Sequence, residues 1–254
     1  MIRVALCAFV GLLCATSANA ETVRLEYEAS VLNLVTLGRA GISARIDASA
    51  YAADGSVATS GLAALFDDTR ITVRAGGRVS GAALGWTRYD LEHAYARKSR
   101  NVAMRRAGAQ VTSTITPRFG DMGSPPASPA QQAASHDPLT ALLAMSRAIG
   151  RGRICAGAFP VFDGRQHYQL VLSPAARGRY RGGGYDGEAI VCALRYRPVS
   201  GFKPMSAEER ARIPEARIWF ADPAVAGFAA PLRIAVPTPL GEGRIDVKRF
   251  EVRP

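Results

Sequence analysis

The sequence predicts a mainly β protein, an antiparallel sheet with one wet face and one packed helix. Three observations carry that expectation. Thr22–Val31 alternates strictly, with Val23, Leu25, Tyr27, Ala29 and Val31 on one face and Thr22, Arg24, Glu26, Glu28 and Ser30 on the other. A half-buried strand requires this period of two. Roughly ten short segments of strand composition follow between turn signals, and only one stretch has helical spacing of useful length. Many short strands with few helices describe an antiparallel sheet.

The chain has 254 residues, 48% hydrophobic and 21% charged, with 25 Gly and 15 Pro. That composition excludes a collagen-like or wholly disordered protein and fits one globular domain. Residues 1–20 read as a secretory leader, with Arg3, the apolar run Val4–Leu13 and the cleavage site Ala18-Asn19-Ala20. Bulky Leu13 argues against lipidation at Cys14. The expected product is one exported, periplasmic, β-rich domain over residues 21–254, with no membrane span after cleavage. Removing the leader also removes Cys7 and Cys14. Cys155 and Cys192 remain, and an oxidising compartment favours their pairing. No C-x-x-C supports a redox role, and two thiols with three scattered histidines make a poor metal set.

Along the mature chain, Ile42, Ala44, Ile46, Ala48 and Ala50 alternate as a second strand, and Asp54-Gly55 reads as the turn that reverses it. Later strand expectations are Ile71–Arg74, Tyr89–Arg97, Asn101–Arg106, Gln110–Thr116, Gln166–Leu172, Ala189–Tyr196, Arg217–Phe220, Pro231–Val236 and Arg244–Phe250. Asp163-Gly164 reads as a hairpin turn between Phe159–Phe162 and Tyr168–Leu172. Gly120–His136, with Pro125, Pro126 and Pro129, reads as a mobile linker. Asp137 then caps a helix that Pro138 opens and Gly150 can end, with Leu139, Leu142, Leu143 and Ile149 on one face. Ser206 with Glu209 resembles a capping box for a second, short helix.

Several of these segments carry a family resemblance. Asp137–Leu143 (DPLTALL), Cys155, Pro160–Tyr168 (PVFDGRQHY), Tyr185–Cys192 (YDGEAIVC), Tyr196–Gly201 (YRPVSG), Ile218-Trp219 and Pro231–Leu240 (PLRIAVPTPL) resemble the bacterial domain-of-unknown-function family 3108. The resemblance spans almost the whole mature chain. It implies an exported, mostly β envelope protein without assigned catalytic residues, and its matching cysteines favour the disulfide. In architecture the chain is more loosely similar to the LolA and LolB lipoprotein carriers, which implies a large curved antiparallel sheet or half-barrel around one helix. Such a likeness does not establish lipid carriage.

The search for chemistry favours binding. There is no G-x-S-x-G elbow, H-E-x-x-H or H-x-H. His93, His136 and His167 lack partner motifs. Asp67-Asp68 and Asp163 could supply the acids of a carbohydrate- or peptidoglycan-active hydrolase, although polar turns explain them more simply. The run Arg179–Gly187 (RYRGGGYDG) lacks the G-K-[ST] ending of a phosphate loop and reads as a flexible connection. No catalytic residue, metal ligand or cofactor is expected.

Net charge is +11, and of 32 basic residues only Lys98, Lys203 and Lys248 are lysines. Arginine forks suit phosphates and carboxylates of lipid headgroups and surface polysaccharides. Two clusters stand out, one at Arg97, Lys98, Arg100, Arg105 and Arg106 and the other at Arg177, Arg179 and Arg181. An exported protein is a poor nucleic-acid binder. The expected function is therefore non-enzymatic, binding an anionic lipid or surface polysaccharide of the envelope. Arg97, Arg100, Arg179 and Arg181 are the expected rim and Leu142 with Leu143 the apolar wall. The alternative is a protein-interaction module with another envelope protein as partner. An open groove beside the helix would favour lipid, and a filled core would favour the interaction module.

Overall fold

A computed structural model describes residues 20–61, 64, 68–153, 155–225 and 227–253. Residues 1–19, on which nearly all of the expected leader falls, and Asp67 therefore lie outside the described residues. The first half is a meander of seven strands, β1 (Glu21–Val31), β2 (Val35–Ile46), β3 (Ala50–Thr59), β4 (Thr69–Ser80), β5 (Ala83–Tyr95), β6 (Lys98–Ala107) and β7 (Gln110–Thr116). Helices α1 (Pro129–Ala134) and α2 (Pro138–Gly150) follow. A second meander comprises β8 (Gly157–Phe162), β9 (His167–Gly182), β10 (Tyr185–Ser200), β11 (Ala216–Asp222), β12 (Pro231–Thr238) and β13 (Gly241–Arg253), with α3 (Ala207–Ala211) between β10 and β11.

All thirteen strands form one antiparallel sheet in the order β7-β6-β5-β4-β3-β2-β1-β13-β12-β11-β10-β9-β8. Chain ends β1 and β13 thus pair at its centre, and each meander runs outward from them. Alternation does the work in β1 and β2, where Val23, Leu25, Tyr27, Ala44 and Ile46 are buried between exposed Arg24, Glu26 and Arg45. Edge strands β7 and β8 are not paired with each other; α1 touches both, and His136 bridges the outer edge of β8. The turn after β8 sits on β6 and β7 so closely that a Cβ on Gly164 would lie 2.7 Å from Val102 Cγ1. Across the same seam, the Arg100 guanidinium lies 3.9 Å from the Phe119 ring centre, and Arg165 covers that ring at 5.0 Å.

Two expectations about turns and linkers change. Asp54-Gly55 is the middle of β3, paired with Ser43 and Ile42, and the reversal comes at Asp47–Ser49, which takes Ala48 out of the strand. Outward Asp54 lies 3.6 Å from Arg74, while the absent Cβ of Gly55 makes room for Val73. A short polar-glycine pair is as compatible with that role as with a turn. Within Gly120–His136, the expected linker, Ser128 and Gln131 form a capping box that starts α1. His136 then bonds β8 through its backbone N–H to Pro160 O and through its carbonyl to Phe162 N.

Helix α2 lies in the concave face and is buried around most of its circumference. Leu139 and Leu143 join a core cluster containing Leu25, Tyr51, Trp86 and Tyr89. Met145, Ile149 and Leu142 join a second cluster with Phe159, Leu172, Ile218 and Phe220. Cys155 and Cys192 are disulfide-bonded inside that second cluster, with Cα atoms 5.3 Å apart. No helix among the described residues is long and apolar enough to cross a membrane.

Candidate functional site

The six residues expected to bind ligand do not form one site. Leu143 is 1% exposed and plugs the first core cluster; Leu142 is half-buried against the second. Neither is among the residues lining the two surface depressions, at β1–β4 and between β10 and α3. Arg97 and Arg100 belong to the β5–β6 turn region, whereas Arg179 and Arg181 precede the β9–β10 turn. Antiparallel order carries those two turns to opposite ends of the sheet, here named for Leu32 and Glu21 respectively. The second pair is also occupied. Arg179 donates to Asp186 Oδ1 (2.8 Å) and Arg181 to Oδ2 (2.9 Å), and these bonds, Arg179's first, hold the carboxyl below its usual range. Arg177 pairs with Asp222.

Depressions on the outward surface are more informative. A trough of about 810 Å³ crosses β1–β4, floored by small residues such as Gly41, Ser43 and Ser56. Several of its charges are paired, whereas Arg24 and Arg39 of its lining have no acidic partner among the described residues. Glu28 meets Lys248 at 3.0 Å, Glu26 meets Arg249 at 3.5 Å and Asp54 meets Arg74. A second pocket, of about 730 Å³, lies between β10 and the connection containing α3. Arg195, Arg197, Arg210 and Arg212 line it, with Glu215 as the one acidic lining residue. Glu215 bonds Arg195 (2.7 Å), and Glu208, outside the lining, pairs with Arg212. Arg197 and Arg210 have no acidic partner among the described residues.

This pocket has a local origin in sequence. Strand alternation sends Arg195 and Arg197 outward while Tyr196 turns in, stacking on Tyr168 with ring centres 4.7 Å apart. Burial pushes the Tyr196 phenol up to about 12. On the facing side, the Ser206–Glu209 capping box starts α3 and carries Arg210 and Arg212. The two R-x-R pairs are visible in the sequence, but their meeting depends on the path of the β10–β11 connection.

Asp137, the expected helix cap, and the acids and bases weighed for hydrolysis, Asp68, Asp163 and the three histidines, are placed as follows. Asp137 caps α2, accepting from Thr140 N (2.9 Å) and Thr140 Oγ1 (2.5 Å). Because that hydroxyl donates to Asp137, the Tyr51 hydroxyl donates to Thr140 Oγ1 (2.6 Å). Burial raises the Asp137 carboxyl to about 6, against the pull of those hydrogen bonds. Asp163 accepts from Arg165 N and Gln166 N, forming the expected turn, and burial raises its pKa. Asp68 is exposed near Arg70. His136 and His167 are held below their ordinary pKa by burial, whereas His93 stacks on Tyr95. Among the described residues no group of three or more His, Cys, Asp or Glu is arranged to hold a metal.

Comparison with known proteins agrees with the β-rich fold. A crystal structure described as a beta-barrel-like protein of domain of unknown function DUF1849, from Brucella abortus, is similar with a TM-score of 0.57. The match covers 93% of this chain and 100% of that one at 8% identity, so it speaks for the fold alone. No curated protein matches the sequence. The family model described as protein of unknown function (DUF3108) matches residues 26–248. Nearly all of the sheet and α2 fall within that span, and the chain belongs to the DUF3108 family.

Proposed function

We propose that the protein is a non-enzymatic, periplasmic binding protein of the cell envelope that holds an anionic component, lipid headgroup or polysaccharide, in the pocket between β10 and α3. One observation carries the reading. Four arginines converge there, and two of them lack an acidic partner among the described residues. Guanidinium forks left unneutralised suit phosphate and carboxylate oxygens bidentately. Helix α2 fills the sheet's concavity, so the ligand is recognised at the surface and acyl chains are not stored inside. Native mass spectrometry of protein purified from periplasm tests this. Wild type should carry an acidic glycan or lipid, and a variant with Arg197→Ser and Arg210→Ser should lose it at an unchanged unfolding midpoint. A bare wild-type protein, or a variant that keeps its ligand, would sink the reading. The same filled interior favours the second reading, a protein-interaction module, which predicts that this variant instead loses crosslinks to an acidic partner protein.

A further inference from the structure

A different surface at the Leu32 end points to a partner of another kind. Eight large apolar residues are exposed among the described residues, and five of them lie on two neighbouring hairpins. The β1–β2 hairpin carries Leu32 (55% exposed), Leu34 (84%), Val35 and Leu37, and the β12–β13 turn carries Leu240 (75%). These turns are adjacent because β1 pairs with β13. Leu32 N–H donates to Glu242 O (3.2 Å), and the Leu32 side chain covers Gly241, where a Cβ would lie 2.3 Å from Leu32 Cδ2. Leu32 also holds φ +55, a left-handed conformation that glycine or asparagine adopts at lower cost than leucine. The turn thus presents leucine where its own backbone would favour another residue.

Charge around the tips identifies what covers them. Arg217 and Arg244 share one carboxylate, Glu242, and Arg244 also bonds Asn33 Oδ1 at the turn itself (2.7 Å). Exposed Arg39 lies two residues along β2 from Leu37. A two-fold dimer through these tips would set this positive excess against itself. Anionic headgroups would neutralise it while the interface takes up the leucines. We propose that the Leu32 end docks on a lipid bilayer bearing anionic headgroups, with the tips of the β1–β2 and β12–β13 hairpins entering the interfacial region. This does not rest on the pocket binding a ligand, since it uses other residues.

Protein purified in the form the cell accumulates should co-sediment with vesicles of equal phosphatidylglycerol and phosphatidylcholine, and far less with phosphatidylcholine alone. Leu34→Ser combined with Leu240→Ser should weaken that binding at least about tenfold, because each leucine loses its apolar transfer. Both side chains are exposed, so the unfolding midpoint should hold. Leu34→Trp should give fluorescence that brominated acyl chains quench. Arg197→Ser with Arg210→Ser should leave this quenching in place even where it abolishes ligand retention in the pocket. Absence of binding to anionic vesicles, equal binding by the serine variant, or unquenched tryptophan would overturn the proposal. So would a vesicle-free dimer that the same serine substitutions dissolve, which would assign the leucines to a second copy of the chain.

Discussion

The two meanders bury their side chains in different ways. In β1–β4 each strand keeps a wet face, and what it hides is covered from one side, in part by Leu139 and Leu143 of α2. In β10 five successive residues, Ala189–Ala193, are buried, with Ala189 in the first core cluster and Ile190 and Cys192 in the second. That half also holds the disulfide. The first meander therefore depends on a helix supplied from outside it, while the second carries a covalent tie within its own core. Cutting each support separately should reveal the difference.

The largest effect is expected at Leu143. It is 1% exposed at the centre of the first cluster, and Leu143→Ala should cost about 4 kcal/mol in urea unfolding, the transfer loss plus an unfilled cavity. Half-buried Leu142 should cost clearly less as Leu142→Ala. Equal and small costs at both positions would mean that α2 lies over a groove, breaking the account of the first meander.

The second support is the bridge. Replacing both Cys155 and Cys192 by alanine removes a crosslink over a sequence separation of 37. Chain-entropy reasoning gives a loss of about 3–4 kcal/mol for a loop of that size. Amide exchange should then accelerate in β8–β11 before β2–β5. Uniform acceleration would show that the two halves unfold as one unit.

The same contrast explains what the sequence made legible. β1 and the start of α2 were readable because a wet face imposes alternation and because Asp137-Pro138 is a start signal used as written. Gln110–Thr116 matched β7 to the residue. The expected Ala189–Tyr196 falls short of β10's true span of Tyr185–Ser200 at both ends, where Gly187 and Pro198 read as strand boundaries although burial still alternates there. At Asp54-Gly55 local turn chemistry conflicted with pairing to β2, and pairing won. The arginine site was the least legible part. Arg179 and Arg181 stood out by spacing, yet Asp186 lies only a turn away and neutralises them. Arg197 and Arg210 join only through the folded β10–β11 connection.

A third test probes the polar start of α2. Asp137 titrates near 6 in the fold against an ordinary 3.8, so the folded state holds its proton more tightly. Stability tied to this group is complete below pH about 4 and is lost as pH rises through about 6, a fall of about 3 kcal/mol at most. His136 and His167, whose folded pKa values are depressed, act in the opposite sense: their contribution is lost as pH falls. The measurement is therefore the difference between wild type and Asp137→Asn, which keeps a capping oxygen. Wild type should lose stability relative to that variant between pH 4 and 6, and a constant difference would show that Asp137 is ionised throughout.

The smallest effect on stability belongs to the second meander's exposed arginines, and its smallness is informative. Arg197 and Arg210 are exposed and make no ion pair among the described residues, so replacing both with serine breaks no charge pair. Surface changes of this kind shift unfolding by about 0.5 kcal/mol or less. Removing positive charge from a chain of net charge +11 pushes the same way, because it relieves self-repulsion. A stability change near zero, or a slight gain at low salt, is the expected result. A loss above about 1 kcal/mol would mean that these guanidinium groups brace the β10–β11 connection, as Arg195 and Glu215 do by their 2.7 Å bond. The pocket would then be part of how the second meander holds itself together. If stability is unmoved and binding is lost, the unneutralised charge has ligand recognition as its role, and the second meander divides into a crosslinked core and an outward face free to bind.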